Sequence, residues 1–274
     1  MNKGSQQDQR SFPALRFDNS SVALHTTAGE WTYSDLHDRV NKMASGLLEG
    51  KSDLKEERIG LLIPGGVDYV TTLLGIWRAG GIAVPLNAEG ALPEVEHSLT
   101  CAQVTRLVVC LSLDTDQIVA LHILCQALKI EMLTVAETLA DGSGKLPVIA
   151  PERRAMILFT SGTTNKPKGV VSTHKNIRAQ VTTLLEAWGW QEKDSIPLFL
   201  PLNHVHGIVN ILCCGLWIGA RVAVFPRFEM DLLMTQVRLR KYTVFMAVPT
   251  IYVKIIQYLA VSYTHLTLPT ICSV

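Results

Sequence analysis

The chain has 274 residues, of which 48% are hydrophobic and 18% charged, and its formal net charge is +1 with no dense Lys/Arg block. This balance suits one large or two small globular domains and offers no electrostatic footprint for nucleic acid or an anionic membrane surface. Any basic site must therefore be local.

Six cysteines (Cys101, Cys110, Cys125, Cys213, Cys214 and Cys272) show no Cys-x-x-Cys spacing and fall mostly in apolar runs. They read as buried thiols of a reducing compartment, not as a disulfide framework or a zinc site. The most apolar stretch, 208–225, holds Asn210 and is interrupted by Gly219, Ala220 and Arg221. It is too short and broken for a transmembrane segment, and a buried helix followed by a strand is expected instead. Residues 1–16 lack the apolar core of a secretory signal and read as a polar tail, which places the chain inside the cell without deciding between cytoplasm and mitochondrion.

In chain order, Thr32 and Asp35 precede Leu36, Val40, Met43 and Leu47, whose spacing keeps one apolar face. This predicts a capped amphipathic helix ending near Gly50. A strand at 58–63, a helix at 68–79 with Val70, Leu73, Leu74 and Trp77 in phase, and a strand at 80–86 follow. The alternation continues with a helix at 92–99, a strand at 106–111, a helix at 118–128 and a strand at 130–135. Continuous apolar strands separated by helices imply parallel sheets covered on both faces. Asp141 to Pro147, with Gly142 and Gly144, is the best linker candidate. Beyond it lie an apolar run at 155–159, a helix at 175–188, a strand at 196–202, a helix at 205–217, a strand at 221–225, a helix at 230–240, a strand at 243–248 and a helix from Pro249 to 259, with proline well placed in its first turn. The fold class expected is α/β, with two doubly wound sheets covered by helices.

The run 160–169 follows the apolar strand directly and reads Thr-Ser-Gly-Thr-Thr-Asn-Lys-Pro-Lys-Gly. Its hydroxyls (Thr160, Ser161, Thr163, Thr164) can donate to phosphate oxygens, Gly162 and Gly169 allow close backbone approach, and Lys166 and Lys168 bring positive charge. A nucleotide triphosphate is the expected ligand. The spacing excludes a Walker loop, since no Gly-Lys-Ser/Thr triplet is present. The competing reading is a Ser/Thr/Gly-rich surface turn.

A second constellation, Pro201-Leu-Asn-His204-Val-His206-Gly207, sits after a predicted strand, where α/β folds place ligands. Histidines two apart do not share a helix face, and with no third ligand in view no metal site is expected. Either histidine reads equally well as a structural residue. Trp77, Trp188, Trp190 and Trp217 fall among apolar positions and read as core packing.

The run 160–169 is similar to the Thr-Ser-Gly-Thr-Thr-Gly-x-Pro-Lys-Gly signature of the adenylate-forming (AMP-dependent synthetase/ligase) superfamily. It departs from the signature at Asn165, the non-glycine residue best able to take a left-handed backbone. Trp31-Thr-Tyr33 and 80–87 resemble the superfamily's early core motifs, and the resemblance runs from about Phe17 to Leu259. It implies that Thr160 to Lys166, Lys168 and Gly169 bind ATP phosphates, and that His204, which matches the histidine of a Pro-x-x-His-x-aromatic-Gly motif, has a catalytic place beside the acid. His206 and Gly207 would line the acyl pocket with it. His206 stands where the family has an aromatic residue, making that wall polar and potentially cationic, which favours a small or charged acid.

The spelling His-Val-His-Gly, 54–59 and 245–252 most resemble malonyl-CoA synthetases within the superfamily. The implied activity is ligation of a carboxylic acid, malonate or methylmalonate, to CoA through an acyl-adenylate, with ATP, Mg²⁺ and CoA consumed or required. The alternatives are another short- or medium-chain acyl-CoA synthetase and a non-catalytic nucleotide-binding fragment. Family members are roughly twice as long. The resemblance implies that the adenine-stacking motif, the ribose-binding Asp, an arginine for the distal carboxylate and the mobile C-terminal domain lie beyond this chain. Residues 17–260 are thus expected to form a partial AMP-binding N-terminal domain, incomplete at its C-terminal end, inactive alone and poorly soluble through an uncovered sheet edge. Residues 261–274 do not continue the family pattern. They resemble a translated sequencing adapter and are expected to be a non-native tail.

Overall fold

The computed structural model describes residues 19–139, 145–160 and 167–262, with residues 261 and 262 described by backbone alone. The chain opens with strands β1 (Val22–Thr26) and β2 (Gly29–Thr32), then α1 (Tyr33–Leu48), β3 (Arg58–Leu62), α2 (Val67–Arg78), β4 (Ile82–Pro85), α3 (Leu92–Ala102), β5 (Arg106–Val109), α4 (Thr115–Leu128), β6 (Glu131–Thr134) and the short α5 (Val135–Thr138). Next come β7 (Arg154–Thr160), β8 (Lys168–Thr173), α6 (His174–Trp188) and β9 (Ser195–Leu198). A π-helix (His206–Cys213) runs directly into α7 (Cys214–Ile218), followed by β10 (Arg221–Val224), α8 (Met230–Arg238) and α9 (Pro249–Ser262).

Among the described residues these strands form two sheets, in the orders β6-β5-β3-β4-β7-β8 and β2-β1-β10-β9. The ladders are parallel except at one edge of each sheet, where β8 runs against β7 and β2 against β1. The α/β fold with two sheets is therefore as expected, but the division of the chain is not. The linker candidate near Asp141 does not separate the sheets, because β7 beyond it joins β4 in the first sheet. The second sheet instead pairs β1, from the start of the chain, with β10, from near its end.

Local chemistry explains most boundaries. The Thr32 hydroxyl accepts from the Asp35 amide, and the Asp35 carboxylate accepts from the Thr32 amide at 3.0 Å, closing a capping box at the start of α1. The Thr32 hydroxyl also donates to that carboxylate at 2.6 Å, and this bond, followed by the backbone one, holds the Asp35 carboxyl below its ordinary pKa. Leu36, Val40, Met43 and Leu47 are all buried, as their spacing predicts. The predicted strand at 243–248 does not form. Thr243 and Val244 donate backbone N–H groups to the Ser195 carbonyl, but the Ser195 N–H goes to the Thr243 hydroxyl at 3.0 Å and not to a carbonyl. A side chain has taken the ladder's place, and the pairing stops there.

Other expectations also change. The predicted helix at 205–217 is wound as a π-helix in its first half, and Lys168 and Gly169 belong to a strand that the apolar pattern does not reveal. Cys101 is exposed and Cys110 half-buried, whereas Cys125, Cys213 and Cys214 are buried thiols as expected; Cys272 lies outside the described residues. Trp77 and Trp190 are buried, but Trp188 is 47% exposed. Val170 and Val171 on the edge strand β8 and Val253 and Ile256 on α9 are exposed.

The helices α1 and α2 cross at Gly75, where an added Cβ would lie 2.3 Å from Met43 Cγ and 2.8 Å from Met43 Cβ. Gly75→Ala should gain about 1 kcal/mol of helix propensity and lose more than that to overpacking of a fully buried seam, about 1–3 kcal/mol. We expect a net loss of stability, read as a lower urea midpoint with an unchanged slope; a midpoint at or above that of the parent chain would show that Met43 yields freely.

Candidate functional site

The antiparallel pairing of β7 with β8 sets Thr160 opposite Lys168 and Phe159 opposite Gly169. The run resembling a phosphate-binding signature is therefore the loop of a β-hairpin and is followed by a strand, not by the helix N-terminus of a Walker-type site. Ser161, Gly162, Thr163, Thr164, Asn165 and Lys166 lie outside the described residues. Of the others, Thr160 and Lys168 are exposed at the hairpin ends, with the Thr160 hydroxyl 3.4 Å from the Lys168 carbonyl. Gly169 packs against Ile157 and Phe159, where a Cβ would meet Ile157 Cγ2 at 3.0 Å.

A residue that the sequence does not single out secures the loop's far end. His97 on α3 places Nε2 2.9 Å from the Pro167 carbonyl and its ring 6.2 Å from that of Phe159, edge to face. A carbonyl only accepts, so Nε2 carries the proton. The two residues are 70 apart in the chain, and no local pattern links them.

The second constellation follows β9. Tyr69, fully buried on α2, donates its phenol to the Leu202 carbonyl and so holds the turn that carries Asn203 and His204. Burial pushes this phenol well above its ordinary pKa and keeps it a donor. Gly207 sits under the same turn, where a Cβ would lie 3.0 Å from the Pro201 carbonyl oxygen and 3.3 Å from that of Leu200. A residue without a side chain lets the π-helix start this close to the turn without displacing its carbonyls.

The structure then brings the two constellations together. A cleft of about 250 Å³ is walled by Phe159, Thr160 and Pro167 of the hairpin, Asn203 and His204 of the turn, Pro85 to Asn87 after β4, and Glu94 and Ser98 of α3. It lies at the carboxyl ends of β4, β7 and β9, where open α/β sheets bind ligands. His206 is not in it. That side chain lines a separate, open surface groove of about 390 Å³ with Trp188, Asn210, Met246, Ala247 and Tyr252. Gly207 lines neither and serves packing. A larger space of about 460 Å³ adjoins the cleft through Leu86, Asn87 and Asn203 and reaches across the second sheet to Phe225 and Phe228.

With this geometry in place, comparison with known proteins is decisive, since residues 11–271 match the model of a single family, AMP-binding enzyme. The chain belongs to the AMP-binding enzyme family. Its relatives include the mitochondrial malonate–CoA ligase ACSF3 of Mus musculus, 35% identical over 266 residues, which cover 92% of this chain and 45% of that protein. The Xenopus laevis malonate–CoA ligase ACSF3 is 38% identical over 260 residues, covering 89% and 44% of the two chains. Among solved structures of the family, ATP-bound MatB from Rhodopseudomonas palustris superposes with a TM-score of 0.78 at 25% identity, covering 88% of this chain and 48% of that one. The chain thus spans about half the length of the curated relatives it matches. No helix among the described residues is long and apolar enough to cross a membrane.

Burial lowers the pKa of His206 below the ordinary imidazole value of 6.5. The groove wall it forms is thus polar but neutral near pH 7, not cationic. Because the unfolded chain takes up this proton at a higher pH than the folded one, His206 should make stability fall as pH drops below about 6.5, the loss becoming complete and constant below its own depressed value. His206→Gln is expected to flatten that slope, measured as the change in urea midpoint between pH 7.5 and 5.5. A proton NMR titration of the imidazole should place its midpoint below 6.5; a midpoint above it would mean that a negative charge faces the ring.

Proposed function

We propose that this chain is the N-terminal portion of an ATP-dependent acid–CoA ligase that activates malonate or methylmalonate as an acyl-adenylate and passes it to CoA. The observation that supports this most is the shared cleft, which the phosphate-type hairpin (Thr160, Pro167) and the His204 turn both line. Two reactants held in one cleft replace a bimolecular encounter by a positioned one. The choice of acid rests on the malonate–CoA ligases among the relatives.

In the adenylation half-reaction the acid's carboxylate attacks the α-phosphorus of ATP and pyrophosphate leaves. Charge migrates onto the departing β- and γ-phosphates, and little covalent help is needed beyond stabilising it. Thr160, with the hydroxyls and amides at 161–166, would donate to those oxygens. Lys168, projecting from the start of β8, would offset their charge. His204, across the cleft, would orient the attacking carboxylate. Gly169 supports this indirectly through its packing on Phe159. In the second half-reaction the CoA thiol displaces AMP.

Mg²⁺ fits this site as the counter-ion that ATP brings. Among the described residues no three His, Cys, Asp or Glu side chains converge on a cation, and Glu94 is the carboxylate that the cleft offers.

Lys168→Ala, in the longer protein that contains this chain, should lower the rate of acid-dependent ATP–pyrophosphate exchange by about 10²- to 10³-fold, the usual effect of removing one preorganised charge partner. Exchange with malonate and its loss in the variant would establish both the reaction and the role of the hairpin. A change below about threefold would remove Lys168 from phosphate binding. Exchange with no acid at all would leave nucleotide binding without activation.

A further inference from the structure

The hairpin wall of the cleft is held in place by a helix that belongs to neither of its strands. Pro167 and Lys168 share one planar peptide unit, so a group that fixes the Pro167 carbonyl also fixes the N–H and Cα of Lys168. That carbonyl accepts from His97 Nε2 on α3 at 2.9 Å, and the next carbonyl, that of Lys168, faces the Thr160 hydroxyl at 3.4 Å across the hairpin. The backbone of Lys168 is therefore held on both sides while its residue stays exposed. A long cation on a fixed root sweeps a restricted volume, which suits it to meet a polyphosphate in one place.

His97 is itself fixed. Val95 and Leu99, two residues to either side of it, are buried and set the roll of α3 about its axis. Its ring meets Phe159 edge to face, and Phe159 in turn lies under Gly169. One imidazole thus braces the hairpin at both ends, at Phe159 on β7 through its ring and at Pro167, just before β8, through its N–H. Glu94 and Ser98 of the same helix line the cleft, but His97 does not. With its Nε2 proton given to Pro167, it reaches a ligand only through the residue that it holds.

We propose that His97 is the positioning residue of the phosphate-binding hairpin, fixing the Pro167–Lys168 peptide and through it the place from which Lys168 meets the phosphates of ATP. This rests on the reading of the hairpin given above and adds to it a residue outside the hairpin on which its action depends.

The test uses the longer protein and separates the donor from the ring. His97→Phe keeps a ring against Phe159 and loses the N–H, while His97→Gln keeps an amide donor at about the position of Nε2. His97→Phe should lower kcat/KM for ATP in ATP–pyrophosphate exchange by about tenfold or more and leave KM for the acid within about threefold, and His97→Gln should recover exchange to within about threefold of the parent. The thermal unfolding midpoint should stay in place in both, whereas a residue that only supports the fold would move that midpoint and both substrates together. Because His97 acts through Lys168, the two losses should not add, and in a Lys168→Ala background His97→Phe should cost less than about threefold more. Additive losses, equal effects on ATP and acid, or no recovery with glutamine would overturn the proposal.

A second readout is independent of turnover. In titration calorimetry with ATP and Mg²⁺ but no acid, His97→Phe should weaken binding about tenfold and His97→Gln should restore it. Exchange with no acid together with this binding pattern would refute the ligase reading and retain the positioning role. Nucleotide binding that is indifferent to His97, or absent from the parent protein, would refute the positioning role.

Discussion

The buried phenol of Tyr69 on the Leu202 carbonyl is the contact on which the site depends. Tyr69 belongs to a helix packed on the first sheet, and Leu202 to the turn leaving the second. The hydrogen bond therefore sets the position of one sheet's carboxyl ends relative to the other's. A second buried phenol acts within the second sheet, where Tyr33, which follows β2, donates to the Ala220 carbonyl just before β10 at 2.7 Å. Both are tyrosines because only a large apolar side chain with a donor at its tip can fill the seam between layers and satisfy a carbonyl there. Loss of either group would leave a carbonyl without its partner, and loss of the Tyr69 hydroxyl would loosen the relation between hairpin and turn.

Within that frame, two neighbouring histidines serve different spaces. His204 lies in the turn and faces the hairpin cleft, whereas His206 begins the π-helix and faces the outer groove. The wide first turn of the π-helix is made compatible with the preceding backbone by Gly207, which has no Cβ to strike the carbonyls of Leu200 and Pro201. The result is that one short segment lines two separate spaces, the hairpin cleft through His204 and the outer groove through His206.

Much of the architecture is legible in the residues themselves. The capping box of α1, its apolar stripe and the alternation of β3 to β6 with α2 to α4 follow from local hydrogen bonding and periodicity, and they stand in the structure with boundary shifts of a few residues. Less legible were β1, β2 and β8. These are edge or near-edge strands whose mixed burial breaks the apolar pattern that marks a covered strand. The absent strand at 243–248 failed for the opposite reason: its apolar run suits a strand, but a hydroxyl from Thr243 displaced the ladder bond that would have extended it.

At the site, the residue types in 160–169 point to phosphate donors and mobile cations, whereas the place of His204 beside an acid is implied only by the resemblance to the adenylate-forming superfamily. The sequence by itself therefore determined the family and most of the α/β order. It could not determine which of these groups meet. That His97 holds Pro167, that Tyr69 holds Leu202 and that His204 and His206 part into separate spaces are consequences of contacts between residues distant in the chain or of the winding of one helix. Such contacts exist only once the layers have packed, since each depends on a distance that no local pattern encodes.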